Sequence, residues 1–203
     1  MKIYEGWEYD IVNKEFELFP LKYATLVDVG AKGNYGVVPR LLKRNWNGVL
    51  YEPHPESYKE LIKLYENNIL VKVLNNAVSN ETGRMIFLLH PSPELSSLAP
   101  NVTWFKEDTK VTKIEVEVVK LHESLQEHNI SIPKDFDFLK VDAEGFDYRI
   151  LECMFKESFY RPRIIMHEIQ HPGPKEFEKL LNLQGYELIN KEPEHNMIYR
   201  KKE

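Results

Sequence analysis

Cysteine is almost absent from this sequence of 203 residues, which contains only Cys153. One cysteine cannot form an intramolecular disulfide, and such a composition favours a reducing compartment. The sequence also lacks any apolar run near the roughly 18 residues that a membrane-spanning helix needs. Its first seven residues do not contain the apolar core of a signal peptide. We therefore predict a cytoplasmic protein with no membrane partner.

The sequence also has fewer basic than acidic residues. The chain has 27 lysine and arginine residues against 32 acidic residues, which gives a formal net charge of -5. Proteins that bind nucleic acid need a basic surface for the phosphates, so this balance argues against a nucleic-acid partner. The chain length fits one domain with a sizeable core. No pattern in the sequence specifies an oligomeric state.

A third absence is the Gly-x-Gly-x-x-Gly fingerprint of dinucleotide-binding folds. Instead, a short apolar run ends at Asp28 and is followed by glycines at every third position, Gly30, Gly33 and Gly36. This pattern predicts a buried parallel strand, a tight turn and a helix. Ligands of open α/β sheets bind at the carboxyl ends of the strands, so Asp28 is expected in a site. An ordinary strand-to-helix turn is the alternative interpretation.

The rest of the chain alternates predicted strands with predicted helices. This alternation indicates a doubly wound, mostly parallel α/β sheet. We divide the chain into an extension, residues 1–24, that packs across the sheet or covers the site, and a single domain, 25–203, with a small β insertion at about 80–120. The predicted strands of the main sheet are 25–28, 48–52, 69–74, 136–141 and 164–169, followed by an antiparallel hairpin of 186–189 with 197–199.

Four predicted parallel strands finish in carboxylates, Asp28, Glu52, Asp142 and Glu168. Each acid has an alternative interpretation as a helix-capping residue. Together they would place four negative charges in one crevice, which costs stability unless a cationic or hydroxyl-rich ligand compensates. S-Adenosylmethionine has an ammonium, a sulfonium and a ribose, and it fits this requirement.

Several motifs carry a family resemblance. The chain resembles the FkbM family of class I S-adenosylmethionine-dependent methyltransferases (EC 2.1.1.-), which implies a seven-stranded Rossmann-like sheet. The run that ends in Asp-Ala-Glu-Gly is the most specific element. The matching segments are residues 28–33, 51–55, 76–79, 96–98 and 139–145.

The same resemblance assigns roles to individual residues. It implies that the backbone at Gly30 and Gly33 approaches the methionine part of the cofactor and that Asp28 lies near its ammonium. It places Asp142 beside the reactive methyl group. It further implies a ribose contact from Glu52 and adenosine-pocket contacts from Pro53, Asn76 and Ala77. S-Adenosylhomocysteine would be the product.

Methyl transfer to a hydroxyl needs a general base, and the acids and histidines near the strand ends are the candidates. We favour Asp142, Glu144 and His171 over His167 and Glu168. The same groups could bind a divalent metal, although no compact metal motif is present and we do not favour one. A loop at 90–110, with Trp104 and Phe105, is expected to cover a small-molecule acceptor, either a sugar or another hydroxylated compound. A nicotinamide-dependent oxidoreductase and a catalytically silent binding module remain as alternatives.

Overall fold

The computed structural model of the protein describes residues 6–18, 23–33, 36–99, 110–127, 132–168, 173–190 and 196–202. Helices and strands alternate along the chain, as the sequence predicts. The strands are β1 Thr25–Val29, β2 Asn47–Tyr51, β3 Val71–Leu74, β4 Ala77–Ser79, β5 Gly83–Leu89, β6 Thr112–Lys120, β7 Phe138–Val141, β8 Ile164–Glu168, β9 Tyr186–Leu188 and β10 Asn196–Lys201. The helices are α1 Trp7–Leu18, α2 Val37–Leu42, α3 Pro55–Tyr65, α4 Leu121–Glu127, α5 Asp147–Glu157 and α6 Pro174–Leu183.

Seven strands form the main sheet in the order β3-β2-β1-β7-β8-β10-β9. The first five of these are parallel, and β10 runs antiparallel to both β8 and β9. The central strand β1 is buried along its whole length, as expected when helices cover both faces of a parallel sheet. The predicted doubly wound sheet with an antiparallel C-terminal hairpin is confirmed.

The register of the central strands aligns their carboxyl ends. Val29 on β1 pairs with Tyr51 on β2 and with Val141 on β7, and Val141 pairs in turn with His167 on β8. The residues that follow these partners therefore leave the sheet at the same edge. This alignment brings together the acids that lie far apart in the sequence.

A second sheet contains three strands in the order β4-β6-β5. It confirms the predicted β insertion, but the sheet begins earlier than expected, because β4 at Ala77 already pairs with β6. Strand β3 begins later than predicted, at Val71. Ile69 is 97% exposed, because the Asn68 side chain accepts a hydrogen bond from the Leu70 N–H (3.1 Å) and turns the chain before the strand.

Helix α1 lies within the predicted N-terminal extension and packs on one face of the main sheet. Its buried residues Val12 and Phe16 join the same apolar cluster as Leu26 of β1. The ring of Phe16 lies 4.9 Å, centroid to centroid, from the ring of Trp46. Helix α1 thus packs against the main sheet, while the division of the chain at residue 24 stays a prediction. No helix in the described ranges is both long and apolar enough to cross a membrane.

A buried hydrogen bond joins α4 to the main sheet. The Tyr51 hydroxyl lies 3.0 Å from Ser124 Oγ, and both side chains are buried. We expect Ser124→Ala to lower the free energy of unfolding by about 1–2 kcal/mol, because the phenol loses its partner in an apolar setting. Urea unfolding measures this loss. The double variant Tyr51→Phe/Ser124→Ala is the control and should recover most of it, since no buried polar group is then left unpaired.

Candidate active site

The carboxyl ends of the parallel strands border one cavity of about 870 Å³. Its wall includes the four acids at the ends of these strands: Asp28 is the last but one residue of β1, Glu168 is the last residue of β8, and Glu52 and Asp142 directly follow β2 and β7. This volume lies within the range of roughly 300–1,000 Å³ that is typical of small-molecule sites. The structure therefore brings the predicted acids together at one site.

The turn after β1 needs glycine at its first position. Gly30 has φ 74°, and a Cβ there would lie 1.8 Å from the backbone oxygen of Asp142. The N–H groups of Gly30 and Ala31 both donate to the Tyr51 carbonyl, at 3.0 Å each. Gly33 also has a positive φ, 58°, and both glycines border the cavity. The glycine-rich turn is thus held closely between the ends of β2 and β7.

Glu52 follows β2 and is 7% exposed. Its Oε1 accepts a hydrogen bond from the His54 N–H at 2.6 Å. Burial, with a smaller contribution from the charge of Asp28, raises the pKa of Glu52 to about 8. A buried carboxyl group with such a raised pKa is typical of a ligand site.

The His54 side chain caps the N-terminus of helix α3. Its Nδ1 accepts hydrogen bonds from the N–H groups of Glu56 (3.3 Å) and Ser57 (3.4 Å) and so caps α3. The adjoining wall of the cavity contains the predicted residues Pro53, Asn76 and Ala77. The apolar side chains of Val78, Phe87 and Leu98 also line the cavity.

Lys140 is the residue that our sequence reasoning missed as a site residue. Its Nζ lies 3.2 Å from Asp28 Oδ1 and 3.2 Å from Asp142 Oδ2, and 3.4 Å from the carbonyl oxygen of Gly30. Burial alone would lower the pKa of Lys140, but the charges of Asp142 and Asp28 raise it above its ordinary value, so the side chain stays an ammonium. The signal was available, because Asp142 directly follows β7 and lies two residues after Lys140, a spacing that puts both side chains on one face of an extended chain.

The acids on the far side of Lys140 form a second group. Carboxylate oxygens of Asp142, Glu144 and Glu168 lie within 4.8 Å of one another. Burial, and then the charges of Asp142 and Glu144, raise the pKa of Glu168 to about 9. Behind them, the fully buried Asp147 accepts a hydrogen bond from the Ala143 N–H at 3.2 Å. Burial, and then Asp142, raise the pKa of Asp147 to about 8. Burial among other acids therefore favours the protonated forms of Glu168 and Asp147.

The structure describes one of the two histidines that were candidates for the general base. His167 is fully buried, and its ring stacks on Phe177, 3.9 Å between centroids, and on Tyr199. Burial lowers its pKa to about 4. His167 is therefore a core residue, and its inclusion among the candidate bases was wrong. His171 lies outside the described residues, as do Trp104 and Phe105 of the predicted cover.

Two contacts join the insertion to the cavity. Ser97 Oγ donates to the Glu144 carbonyl at 2.6 Å, and Glu144 has φ 48°, in the left-handed region. Lys32, on the glycine-rich turn, forms an ion pair of 2.6 Å with Glu94. The segment around residues 94–97 thus contacts both turns that border the site.

Most of the chain, including the residues of this cavity from Asp28 to Glu168, matches a known protein family. The model of the family described as "Methyltransferase FkbM domain" matches residues 28–188. The chain belongs to the FkbM methyltransferase family. A comparison with curated proteins found no matching relative.

Solved structures support the fold of this FkbM methyltransferase. A presumed methylase from Haemophilus influenzae has a TM-score of 0.53 and 12% identity, with 95% of this chain and 89% of that chain covered. Precorrin-6y C5,15-methyltransferase from Geobacter metallireducens has a TM-score of 0.50 and 12% identity, with 95% and 87% covered. At such low identity, the similarity shows the fold alone. The methyl donor predicted from the sequence is S-adenosylmethionine.

The residues around the cavity of this FkbM methyltransferase fit that donor. Acidic groups suit its positive charge, and the buried carboxyl of Glu52 can accept hydrogen bonds from two neighbouring hydroxyls. The apolar wall offers a surface for the adenine ring. The three clustered carboxyl groups of Asp142, Glu144 and Glu168 also have the oxygen donors that a hard cation such as Mg²⁺ prefers.

Proposed function

We propose that this protein transfers a methyl group from S-adenosylmethionine to a hydroxyl group of a small molecule or sugar. The observation that supports this proposal is the convergence of Asp28, Glu52, Asp142 and Glu168 on one cavity beside the Gly30 turn. A nicotinamide dinucleotide would bring a pyrophosphate to this acidic edge. Among the described residues that line the cavity, the lysines are Lys32 and Lys140, and both are paired with carboxylates.

The proposed contacts follow from the positions of the residues. The backbone at Gly30 and Gly33 would approach the methionine part of the cofactor, with Asp28 near its ammonium. Glu52 would hold the ribose hydroxyls. Asp142 would lie beside the sulfonium, and Pro53, Asn76 and Ala77 would border the adenosine.

When bound, the cofactor supplies an electrophilic methyl group on a positively charged sulfur. The protein must hold the acceptor hydroxyl about 3 Å from that carbon and in line with the breaking bond, so positioning provides much of the acceleration. Asp142 is our first choice to accept the proton of the hydroxyl, with Glu144 and His171 as alternatives. The Gly30 turn and Lys140 fix the position of Asp142.

The room for an acceptor lies beyond the end of β8. There the cavity is bordered by Glu8 of α1, Glu168 and Asn196. The Asn196 side chain donates to Glu8 Oε1 at 2.6 Å, so the N-terminal helix contributes to the wall. Carboxyl and amide groups at this end suit an acceptor with several hydroxyl groups.

Thermal unfolding with two candidate ligands tests the proposed cofactor. S-Adenosylhomocysteine at about 100 times its Kd should add about 2.7 kcal/mol to the stability of the protein. For a chain of this length, this stabilisation corresponds to a rise in Tm of roughly 5–10 °C. NAD at the same concentration should leave Tm unchanged. A rise with NAD and none with S-adenosylhomocysteine would instead support the oxidoreductase.

Turnover is the second part of that test. Transfer of a labelled methyl group from S-adenosylmethionine to a hydroxylated acceptor would separate an enzyme from a silent binding module. Candidate acceptors are sugars and small alcohols that bear several hydroxyl groups. The position of the label in the product shows whether an oxygen was methylated.

A further inference from the structure

Lys140 places a positive charge in a pocket that is proposed to bind a cation, which is unusual. The side chain is only 16% exposed, and its ammonium lies between Asp28 and Asp142 at 3.2 Å from each. The same nitrogen is 3.4 Å from the Gly30 carbonyl oxygen. The Lys140 ammonium is therefore held between the ends of β1 and β7, where the methyl donor is proposed to bind.

This arrangement changes the charge that a ligand meets. Without Lys140, Asp28 and Asp142 would present two negative charges at the centre of the rim. The Lys140 ammonium offsets one of these charges. In the free protein, only one negative charge is therefore left for a ligand to compensate. Since Asp28 is 3% exposed and the Asp142 side chain is 33% exposed, Asp142 is the partner that a ligand can reach.

We propose that Lys140 is a positioning residue that fixes the Asp142 carboxylate and limits the preference of the pocket for a cationic sulfur over a neutral one. This inference rests on the proposed function, in which Asp142 lies beside the sulfonium. It concerns binding, and it assigns to Lys140 no contact with the acceptor.

The methyl donor and its product differ only at the sulfur atom. S-Adenosylmethionine and S-adenosylhomocysteine share the amino-acid group, the ribose and the adenine, and they differ by one methyl group and one positive charge at sulfur. The ratio of their affinities therefore reports the electrostatic environment of the sulfur, and contributions from the shared groups cancel. A fixed ammonium near Asp142 repels the sulfonium but not the neutral thioether, because charge interactions in a partly buried site are only weakly screened.

A purely structural role for Lys140 makes a different prediction. If the lysine served only to neutralise the buried Asp28, its loss would disturb the pocket as a whole. The affinities for donor and product would then fall by the same factor, and their ratio would stay constant. The ratio therefore separates the two roles.

The test uses isothermal titration calorimetry with S-adenosylmethionine and S-adenosylhomocysteine on five proteins. These are the wild type, Lys140→Met, Lys140→Arg, the pair Lys140→Met/Asp28→Asn, and Lys120→Met. The pair removes one positive and one negative charge together, so it leaves no unpaired buried charge at position 28. Lys120, outside the cavity, forms an ion pair of 2.7 Å with Glu157 and provides the matched lysine-to-methionine control.

We expect the preference for S-adenosylmethionine over S-adenosylhomocysteine to rise about tenfold in Lys140→Met. Lys140→Arg, which keeps the charge, and Lys120→Met should stay within about twofold of the wild-type ratio, and so should the pair, because its local net charge equals that of the wild type. A wild-type ratio in Lys140→Met would overturn the inference. If the wild type bound neither compound, the proposed function itself would fail, so the two failures are distinguishable. If Lys140→Met does not fold, Lys140→Gln takes its place with the same expected rise, since its amide can donate a hydrogen bond to the buried Asp28 without a positive charge.

Discussion

Replacing Glu52 by glutamine is expected to lower the affinity for S-adenosylmethionine about a hundredfold. Glu52 is buried at the end of β2, and its carboxylate would accept hydrogen bonds from the ribose hydroxyls. The comparison is made at about pH 9, where Glu52, with a pKa of about 8, is ionised. Hydrogen bonds to a charged group each contribute about 1.5–3 kcal/mol, and a hundredfold loss corresponds to about 2.7 kcal/mol. Isothermal titration calorimetry measures the change. Glu52→Ala should lose at least as much affinity.

The same substitution should stabilise the free protein. The pKa of Glu52 is about 8 in the folded state against an ordinary value of 4.5, mainly because of burial. Between these values the native state binds more protons than the unfolded state, so the stability of the wild type falls as pH rises from about 4.5 towards 8. At pH 7 the penalty is on the order of 3 kcal/mol. The Glu52→Gln variant avoids it, and its advantage in Tm should grow between pH 5 and pH 8.

These opposite effects distinguish a ligand-binding acid from a structural one. If Glu52 mainly ordered the turn after β2, its substitution would lower the free energy of unfolding of the protein. The affinity for S-adenosylmethionine would stay near the wild-type value. That result would refute the ribose role. Glu60→Gln, at an exposed position of α3, is the matched control and should change neither quantity.

The largest effect on turnover is expected from Asp142→Asn. If Asp142 accepts the proton of the acceptor hydroxyl, its loss should lower kcat about a thousandfold, within the range of about 10²–10⁴ for general-base catalysis. The amide keeps the shape of the side chain, so affinity for S-adenosylmethionine should fall by less than about tenfold. Single-turnover transfer of a labelled methyl group, with calorimetry of the same protein, separates the two effects.

The neighbouring acid provides the control for this prediction. Glu144 also borders the cavity, and Glu144→Gln should lower kcat much less if Asp142 is the base. A wild-type rate in Asp142→Asn would contradict the role. A large loss in Glu144→Gln alone would instead transfer the role to Glu144.

The main sheet was predictable because its signals are local. Buried parallel strands read as short apolar runs, such as the one that ends at Asp28, and each is followed by turn residues. The parallel topology then places the strand ends at one edge, which is why the convergence of four acids followed from the sequence. The run 69–74 was placed too early, because an apolar residue such as Ile69 can lie in an exposed turn.

The rest depended on contacts between segments far apart in the sequence. The pairing of Lys140 with Asp28 requires the register of β7 beside β1, which no local pattern specifies. The stacking of His167 between Phe177 and Tyr199 requires knowledge of which face of β8 is covered. The hydrogen bond from Ser97 to Glu144 joins residues 47 positions apart. Local sequence patterns therefore predicted the acidic residues of the site but not the residues that contact them.

The link between Ser97 and Glu144 has an evolutionary consequence. Enzymes of one fold commonly change specificity by exchanging surface loops while the scaffold stays constant. Here the Ser97 hydroxyl binds the insertion to the backbone of the Asp-Ala-Glu-Gly turn, so a graft that omits Ser97 would disturb that turn as well as the insertion. Selectivity and catalytic geometry in this protein would then have to diversify together.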